Sequence, residues 1–203
     1  MKKLVLLFVL VACVVASSPE PVHAISELET WCKAQGQGAG WLPATNTCIV
    51  LSAKDATVTG TLALLSGETL SNYGTIGNDG AIYNDGTIYN PGTIVNHGTI
   101  ANADYNRNDG AIHNYGTIDN DGTVASHGTV SNYGAIDNDG TIANYDAINN
   151  YGAIANYYGT IYNYGTIYNL CMGIVLGSPP DDRLDGVTYN LNNCSFLPMV
   201  ARN

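Results

Sequence analysis

The sequence predicts an all-β chain wound as a single-stranded β-solenoid (a β-helix), with about 18 residues in each triangular coil and disulfide-bonded caps at both ends. Three observations carry this. From Asn72 to Asn169 a six-residue unit repeats, Asn-x-Gly-(Thr/Ala)-Ile-x, as in Asn72-Tyr73-Gly74-Thr75-Ile76 and Asn114-Tyr115-Gly116-Thr117-Ile118. Residues 114–125 and 132–143 match at 10 of 12 positions, a lag of 18, or three units. Two pairs of cysteines, Cys32 with Cys48 and Cys171 with Cys194, bracket a cysteine-free centre.

The first 24 residues read as a signal peptide. Lys2 and Lys3 form a positive start, Leu4 to Val15 an apolar run, and Val22-His23-Ala24 a small-residue cleavage site. Leu10-Val11-Ala12-Cys13 resembles a lipobox, so a lipid anchor on Cys13 is the alternative to plain secretion. Export implies an oxidising compartment, and with it the pairings Cys32–Cys48 and Cys171–Cys194. A zinc site fits these cysteines less well, because no C-x-x-C or neighbouring His accompanies them.

Residues 25–57 form the expected N-terminal cap. Ser26-Glu27-Leu28-Glu29 reads as a capping box opening a short helix through Trp31 and Cys32. Trp41 and the Cys32–Cys48 loop are expected to cover the first coil, since a bare strand edge invites aggregation.

Residues 58–169 form the expected solenoid. A period of six is a multiple of two and not of 3.6, so the aliphatic residue keeps returning to one face of an extended chain. Of the 17 slots from Val58 to Ile154 only Asn106 is not aliphatic, and Val58, Leu64 and Leu70 share the phase. An extra residue near Tyr157-Tyr158 shifts the frame, which Ile161 and Ile167 continue. The irregular units at Asn102–Arg107 and Asn156–Tyr162 lie three such lags apart and are expected on one side of the prism. The Asn slot should stack as an amide ladder, and Gly two residues before Ile should allow close backbone approach at the corner. Residues 170–203, with Pro179-Pro180, leave the repeat and form the expected C-terminal cap.

The period, the three-unit coil and the small residue two before an aliphatic resemble the left-handed β-helix of hexapeptide-repeat proteins. The wording of the unit is more similar to secreted surface proteins with Gly-Thr-Ile-Asn repeats. Gly40-Trp41-Leu42-Pro43-Ala44-Thr45-Asn46-Thr47-Cys48 resembles the segment that precedes such repeats. The resemblance covers roughly residues 32–169, implies an extracellular β-solenoid and carries no catalytic motif.

Net charge is −10, and residues 72–169 contain a single Lys or Arg, Arg107, so nucleic acid is not an expected partner. Beyond the N-terminus no apolar run is long enough to span a membrane as a helix. A membrane contact is expected only through a lipidated Cys13. The basic cleft of an acyltransferase and the Lys or Arg of a polysaccharide lyase are missing from the repeat, and no cofactor is expected apart from Ca²⁺. His97, His113 and His127 invite comparison with the three zinc ligands of β-helical carbonic anhydrases. Their gaps of 16 and 14 are not multiples of 18, so they read as variable surface residues. Thr75, Thr93 and Thr129 fall at multiples of 18, but Ala111 and Ala147 interrupt the file, which makes a poor ice template.

Two constellations remain. Asp119 and Asp121 precede Asp137 and Asp139 by the same lag, so four carboxylates share a corner, where Ca²⁺ would relieve their repulsion. Solvated Asp-Asn-Asp turns are the simpler reading. Tyr115, Tyr133 and Tyr151 also recur at this lag and should form an exposed ladder, either binding a ligand or bracing the solenoid. Tyr157, Tyr158, Tyr162, Tyr164 and Tyr168 crowd the last coils. The expected function is non-enzymatic: a secreted or cell-surface structural and adhesive module contacting extracellular glycans or surface proteins through many weak contacts. An extracellular carbohydrate-active enzyme and a matrix or sheath subunit are the alternatives.

Overall fold

A computed structural model describes residues 25–103, 110–156, 159–170, 174–177, 181–182 and 187–191. In each repeat, Thr/Ala-Ile-x-Asn forms a four-residue strand, as in Thr117–Asn120, and the next two residues turn the corner. The strands stack as three sheets, which are the faces of a parallel β-solenoid of about 19 residues per turn. Face 1 runs through Thr69–Asn72, Thr87–Asn90, Ala111–Asn114, Thr129–Asn132, Ala147–Asn150 and Thr166–Leu170. Face 2 runs through Thr75–Asn78, Thr93–Asn96, Thr117–Asn120, Ala135–Asn138 and Ala153–Asn156. Face 3 runs through Ala81–Asn84, Thr99–Asn102, Thr123–Ser126, Thr141–Asn144 and Thr160–Asn163.

Alternation along a strand sends two of its four residues inward. The second is the aliphatic slot, and Ile76 to Ile167 fill the axis almost without exposure. The third turns outward. The fourth is Asn, fully buried from Asn72 to Asn163 in all but the Ser126 slot. Burying an unpaired amide is costly, and the stacking answers it. Asn114 Nδ2 donates to Asn132 Oδ1 at 2.7 Å, and Asn132 Nδ2 donates to Asn150 Oδ1 at 2.8 Å. The remaining amide hydrogens meet carbonyls at the next corner, as from Asn114 to Ala135 O at 2.8 Å. Each face therefore carries a one-way amide ladder, as the repeat predicts.

The ladder on face 3 has a fault. Ser126 stands where the others have Asn, and its hydroxyl donates to Gly128 O at 2.8 Å. Asn144 Oδ1, one coil further on, is buried without a partner. Ser126→Asn should restore the rung and raise stability by about 1 kcal/mol. The urea midpoint measures this, and an unchanged or lower midpoint would contradict it.

Pairing shows where the period is not the coil. Face 1 steps from Leu70 to Ile88 at a lag of 18, from Ile88 to Ile112 at a lag of 24, and from Ile112 to Val130 at 18 again. Faces 2 and 3 also take the longer step, from Ile94 to Ile118 and from Ile100 to Val124. The connection from Asn102 to Ala111 is therefore one six-residue unit longer than its counterparts; Ala103, at its start, has φ 66°. Across this longer connection Asn102 Nδ2 donates to Gly110 O at 3.3 Å. This corrects the expectation that both irregular units lie on one side. The longer connection falls between faces 3 and 1, and the extra residue near 157–158 falls between faces 2 and 3. It also dissolves the threonine file, because Thr93 pairs with Thr117 and Thr129 lies on face 1 between Ala111 and Ala147.

A second correction concerns the start. Ala56 pairs with Ile76 and Val58 with Asn78, while Leu62 pairs with Ile82 and Leu64 with Asn84. Val58 and Leu64 thus occupy Asn slots, and Ala56 and Leu62 hold the aliphatic ones. The turn Leu65–Glu68, closed by Glu68 N–H to Leu65 O at 2.9 Å with Gly67 at φ 85°, absorbs the two extra residues. The amide ladders begin on this apolar layer, which leaves Asn84 Oδ1 without a partner.

The helix Glu27–Ala34 lies against Ala39–Leu42, Thr47–Val50 and Thr61–Leu64, burying Leu28 and Cys32. Ser26 Oγ accepts from Glu29 N–H at 3.1 Å, which is half of the expected capping box; the Glu29 carboxylate turns to Lys33. Cys32 and Cys48 are disulfide-bonded, as expected. Side chains from this segment meet the terminal strands of faces 2 and 3. Glu27 Oε2 accepts from Ala63 N–H at 3.1 Å, Gln35 Oε1 accepts from Thr57 N–H at 3.4 Å, and Trp31 Nε1 donates to Thr57 O at 3.0 Å. Trp41 packs half-buried against the core. Beyond Asn169 parallel pairing continues, through Ile174–Gly177, Asp181–Asp182 and Val187–Leu191. The expected signal segment 1–24, Cys13, Cys171 and Cys194 lie outside the described residues. No helix among the described residues is long and apolar enough to cross a membrane.

Candidate functional site

Because the interior is uniform, chemical variety is confined to outward strand positions and corners. Each corner is dominated by one residue type over part of its length, although Asp85 and Ala103 precede His127 at the corner between faces 3 and 1. Between faces 1 and 2 stand Tyr73, Pro91, Tyr115, Tyr133 and Tyr151; between faces 2 and 3 stand Asp79, His97, Asp121 and Asp139; between faces 3 and 1 stand His127, Tyr145 and Tyr164.

The first corner confirms the expected ladder. Tyr115 and Tyr133 stack with ring centroids 4.8 Å apart, and Tyr133 and Tyr151 with 4.6 Å, each pair at 4°. Strand spacing sets these distances. The ladder extends further back than the regular lag shows. Where Pro91 interrupts it, Tyr89 swings in from face 1, 6.1 Å from Tyr73 and 5.3 Å from Tyr115. Tyr73, Tyr115, Tyr133 and Tyr151 are 48, 49, 45 and 40% exposed, so the column is a surface feature. Parallel stacking covers the ring faces and leaves edges and hydroxyls outward. Desolvation between its neighbours, then the Tyr151 and Tyr115 phenols, push the Tyr133 hydroxyl above the ordinary phenol value.

A second column was not foreseen. His127 stacks on Tyr145 at 4.2 Å and 7°, and Tyr145 on Tyr164 at 4.9 Å and 2°. The extra residue near 157–158 makes its last step 19 and hides it from the regular lag, and a histidine among tyrosines masks its composition. Of the other late tyrosines, Tyr162 turns outward on face 3 and Tyr168 on face 1, while Tyr157 and Tyr158 lie outside the described residues.

The acidic corner gathers as expected. Asp119 and Asp137 are register partners on face 2, and Asp121 and Asp139 follow at the corner. His97 is not an isolated surface residue. Its Nδ1 lies 3.0 Å from Asp79 Oδ1, and its Nε2 lies 3.7 Å from Asp121 Oδ2. Desolvation and then the Asp121, Asp137 and Asp139 charges raise the Asp119 carboxyl above its usual 3.8, with His97 opposing. Ionised Asp119 is therefore disfavoured by folding. That penalty is fully present above the raised folded value, and it fades as pH falls through it toward 3.8. Asp119→Asn should stabilise the chain at pH 7 by under about 0.5 kcal/mol, since the group is exposed and screened. The gain should vanish by about pH 3 in thermal melts; a gain independent of pH would contradict the assignment. Among the described residues no three or more His, Cys, Asp or Glu are grouped so as to hold a metal ion. His113, on face 1, shares no column with His97 or His127.

The axis offers no ligand chamber where it is described. A closed apolar void of about 20 Å³ passes Val124, Ser126 and Val130, where valines and serine stand in for larger residues. It is too small for a substrate. Open depressions flank Ile25–Ala34, with Glu27 their one charged residue. The molecule is thus a parallel β-solenoid whose chemistry is displayed in columns. No family model, curated protein or solved structure matches the chain.

Proposed function

We propose that this chain is a secreted or cell-surface structural and adhesive solenoid, without catalytic activity, that contacts glycans or other surface proteins by multivalent display. The observation that carries the reading is the continuous aromatic column Tyr73–Tyr89–Tyr115–Tyr133–Tyr151. Three rings stacked at strand spacing, with Tyr89 and Tyr73 tilted before them, offer several similar weak contacts at high effective concentration. Outward phenol edges favour hydrogen bonding by the hydroxyls over stacking on ring faces. In this reading the mature chain begins after Ala24, or at a lipidated Cys13. The helix with its Cys32–Cys48 disulfide closes one end of a three-sided coil of nominally three units, and a Cys171–Cys194 loop closes the other.

The test is replacement of Tyr115, Tyr133 and Tyr151 together by Leu, which keeps bulk at the corner. Glycan-array or cell-surface binding should fall at least tenfold while circular dichroism stays that of a β protein. Undiminished binding would defeat the proposal. A second reading rests on the Asp119–Asp137 register pair, where one carboxyl is raised beside another, as in glycoside hydrolysis. It predicts a polysaccharide-cleaving activity that Asp119→Asn or Asp137→Asn abolishes.

A further inference from the structure

Among the described residues only face 1 has an aromatic column on both edges. Tyr115, Tyr133 and Tyr151 bound one side, and His127, Tyr145 and Tyr164 the other. One coil runs Tyr145 to Tyr151 from edge to edge, roughly 20 Å of extended chain. Between the columns lies a floor of His113, Ser131 and Asn149, in register on consecutive strands, beside Ala111, Thr129 and Ala147. Ser131 is only 8% exposed and forms the recessed middle of this floor.

We propose that this strip of face 1 is a trough for an uncharged polysaccharide chain lying along the rod. The inference rests on the display reading and narrows it to one face and one ligand class. Charge is the first argument. In a chain of net charge −10, Asp79, Asp119, Asp121, Asp137 and Asp139 gather on face 2 and the corner beyond it. Asp146 is the one carboxylate among the described residues on the rim of these coils, and Asp85 stands on the same corner one coil before them. A polyanion would meet the overall negative field, whereas a neutral chain would not. The second argument is the floor. Hydroxyl, imidazole and carboxamide groups can donate and accept, which suits sugar hydroxyls. Between Tyr89 and Tyr168, which stand in register at its two ends, alanine is the one apolar residue type, so the floor itself lacks the large buried anchors on which protein partners rely. The third is the rails, which present phenol edges and hydroxyls at the repeat of the strands, on both sides of whatever lies between them.

The experiment uses the full mature chain in affinity gels cast with dextran, laminarin or polygalacturonate, with analytical ultracentrifugation alongside. The wild type should be retarded by at least one of the neutral glucans and not by polygalacturonate. His113→Glu with Asn149→Asp places charge in the floor and should weaken that retardation at least tenfold without changing the melting temperature. Asp119→Asn with Asp137→Asn should leave it unaltered. The trough is overturned by no retardation in either neutral glucan, by equal retardation in polygalacturonate, or by a floor variant that binds like wild type. It is also overturned by a wild-type dimer that the floor variant breaks, since a second copy would then occupy the face. Binding of another glycan or surface protein that needs the tyrosines but not the floor would sink the trough and leave the display reading standing.

Discussion

Gly134→Ala should lower stability by about 3 kcal/mol or more, among the larger effects open to a single methyl. A Cβ at Gly134 would press into the Gly116 carbonyl oxygen of the previous coil and come within 2.8 Å of the Tyr115 carbonyl carbon. These are backbone atoms, so no side chain can swing aside. Gly92, Gly116 and Gly152 meet the same obstacle in their own coils. The demand is for space at the corner, not for a left-handed backbone. Gly77 provides the contrast, because it points outward from Thr75–Asn78 with nothing within 4 Å of a Cβ. Gly77→Ala should shift the urea midpoint little, or upward, by reducing the freedom of the unfolded chain. Equal losses at the two positions would show that close stacking of corners is not what glycine serves.

Asn120→Ala should cost about 3 kcal/mol, combining an unmade buried hydrogen bond with a small cavity. Asn120 Nδ2 donates to Asn138 Oδ1 at 2.7 Å and to Thr141 O at 3.2 Å, and its Oδ1 accepts from Asn96 Nδ2 at 2.7 Å. Alanine would strand the Asn138 oxygen in an apolar corner. Asp at the same site would be worse, since it trades two donors for a buried charge. Hydrogen exchange at the Thr141 amide, compared with wild type, would locate the damage; a loss below about 1 kcal/mol would mean water enters and replaces the rung.

The contrast between these two residues explains what the sequence made legible. Ile and Asn alternate inward at fixed spacing, so the solenoid and its amide ladders follow from the repeat. The expected Tyr115–Tyr133–Tyr151 column and the Asp119–Asp137 pairing follow as well, because the three-unit lag holds across those coils. The longer coil does not, because adding one whole six-residue unit to a coil preserves the phase of every slot that follows. Strand pairing alone separates the longer coil from a regular one. For the same reason the Tyr89–Tyr115 contact escaped notice, whereas the His127–Tyr145–Tyr164 column escaped it because a histidine opens it and its last step is 19 residues. At the start, Val58 and Leu64 kept the six-residue phase by coincidence, and only the wide Leu65–Glu68 turn shows that they face inward at Asn positions. The His97–Asp121 contact was hidden likewise, since Asp121 follows at the longer lag, while Asp79 stands at the regular lag of 18 from His97.

Cross-linking of paired cysteines tests the central claim, that coils stack with buried Ile and Asn and that one coil is a whole unit longer. Val95→Cys with Asp119→Cys places two thiols at register partners, one long step apart on adjacent strands of face 2. Val95→Cys with His113→Cys places them one regular lag apart in sequence but on different faces. Under mild oxidation, peptide mapping should find the 95–119 bridge formed readily and the 95–113 bridge absent. A dominant 95–113 bridge would mean an unbroken three-unit coil, and with it the loss of the contacts that cross the long step, Tyr89 with Tyr115 and His97 with Asp121.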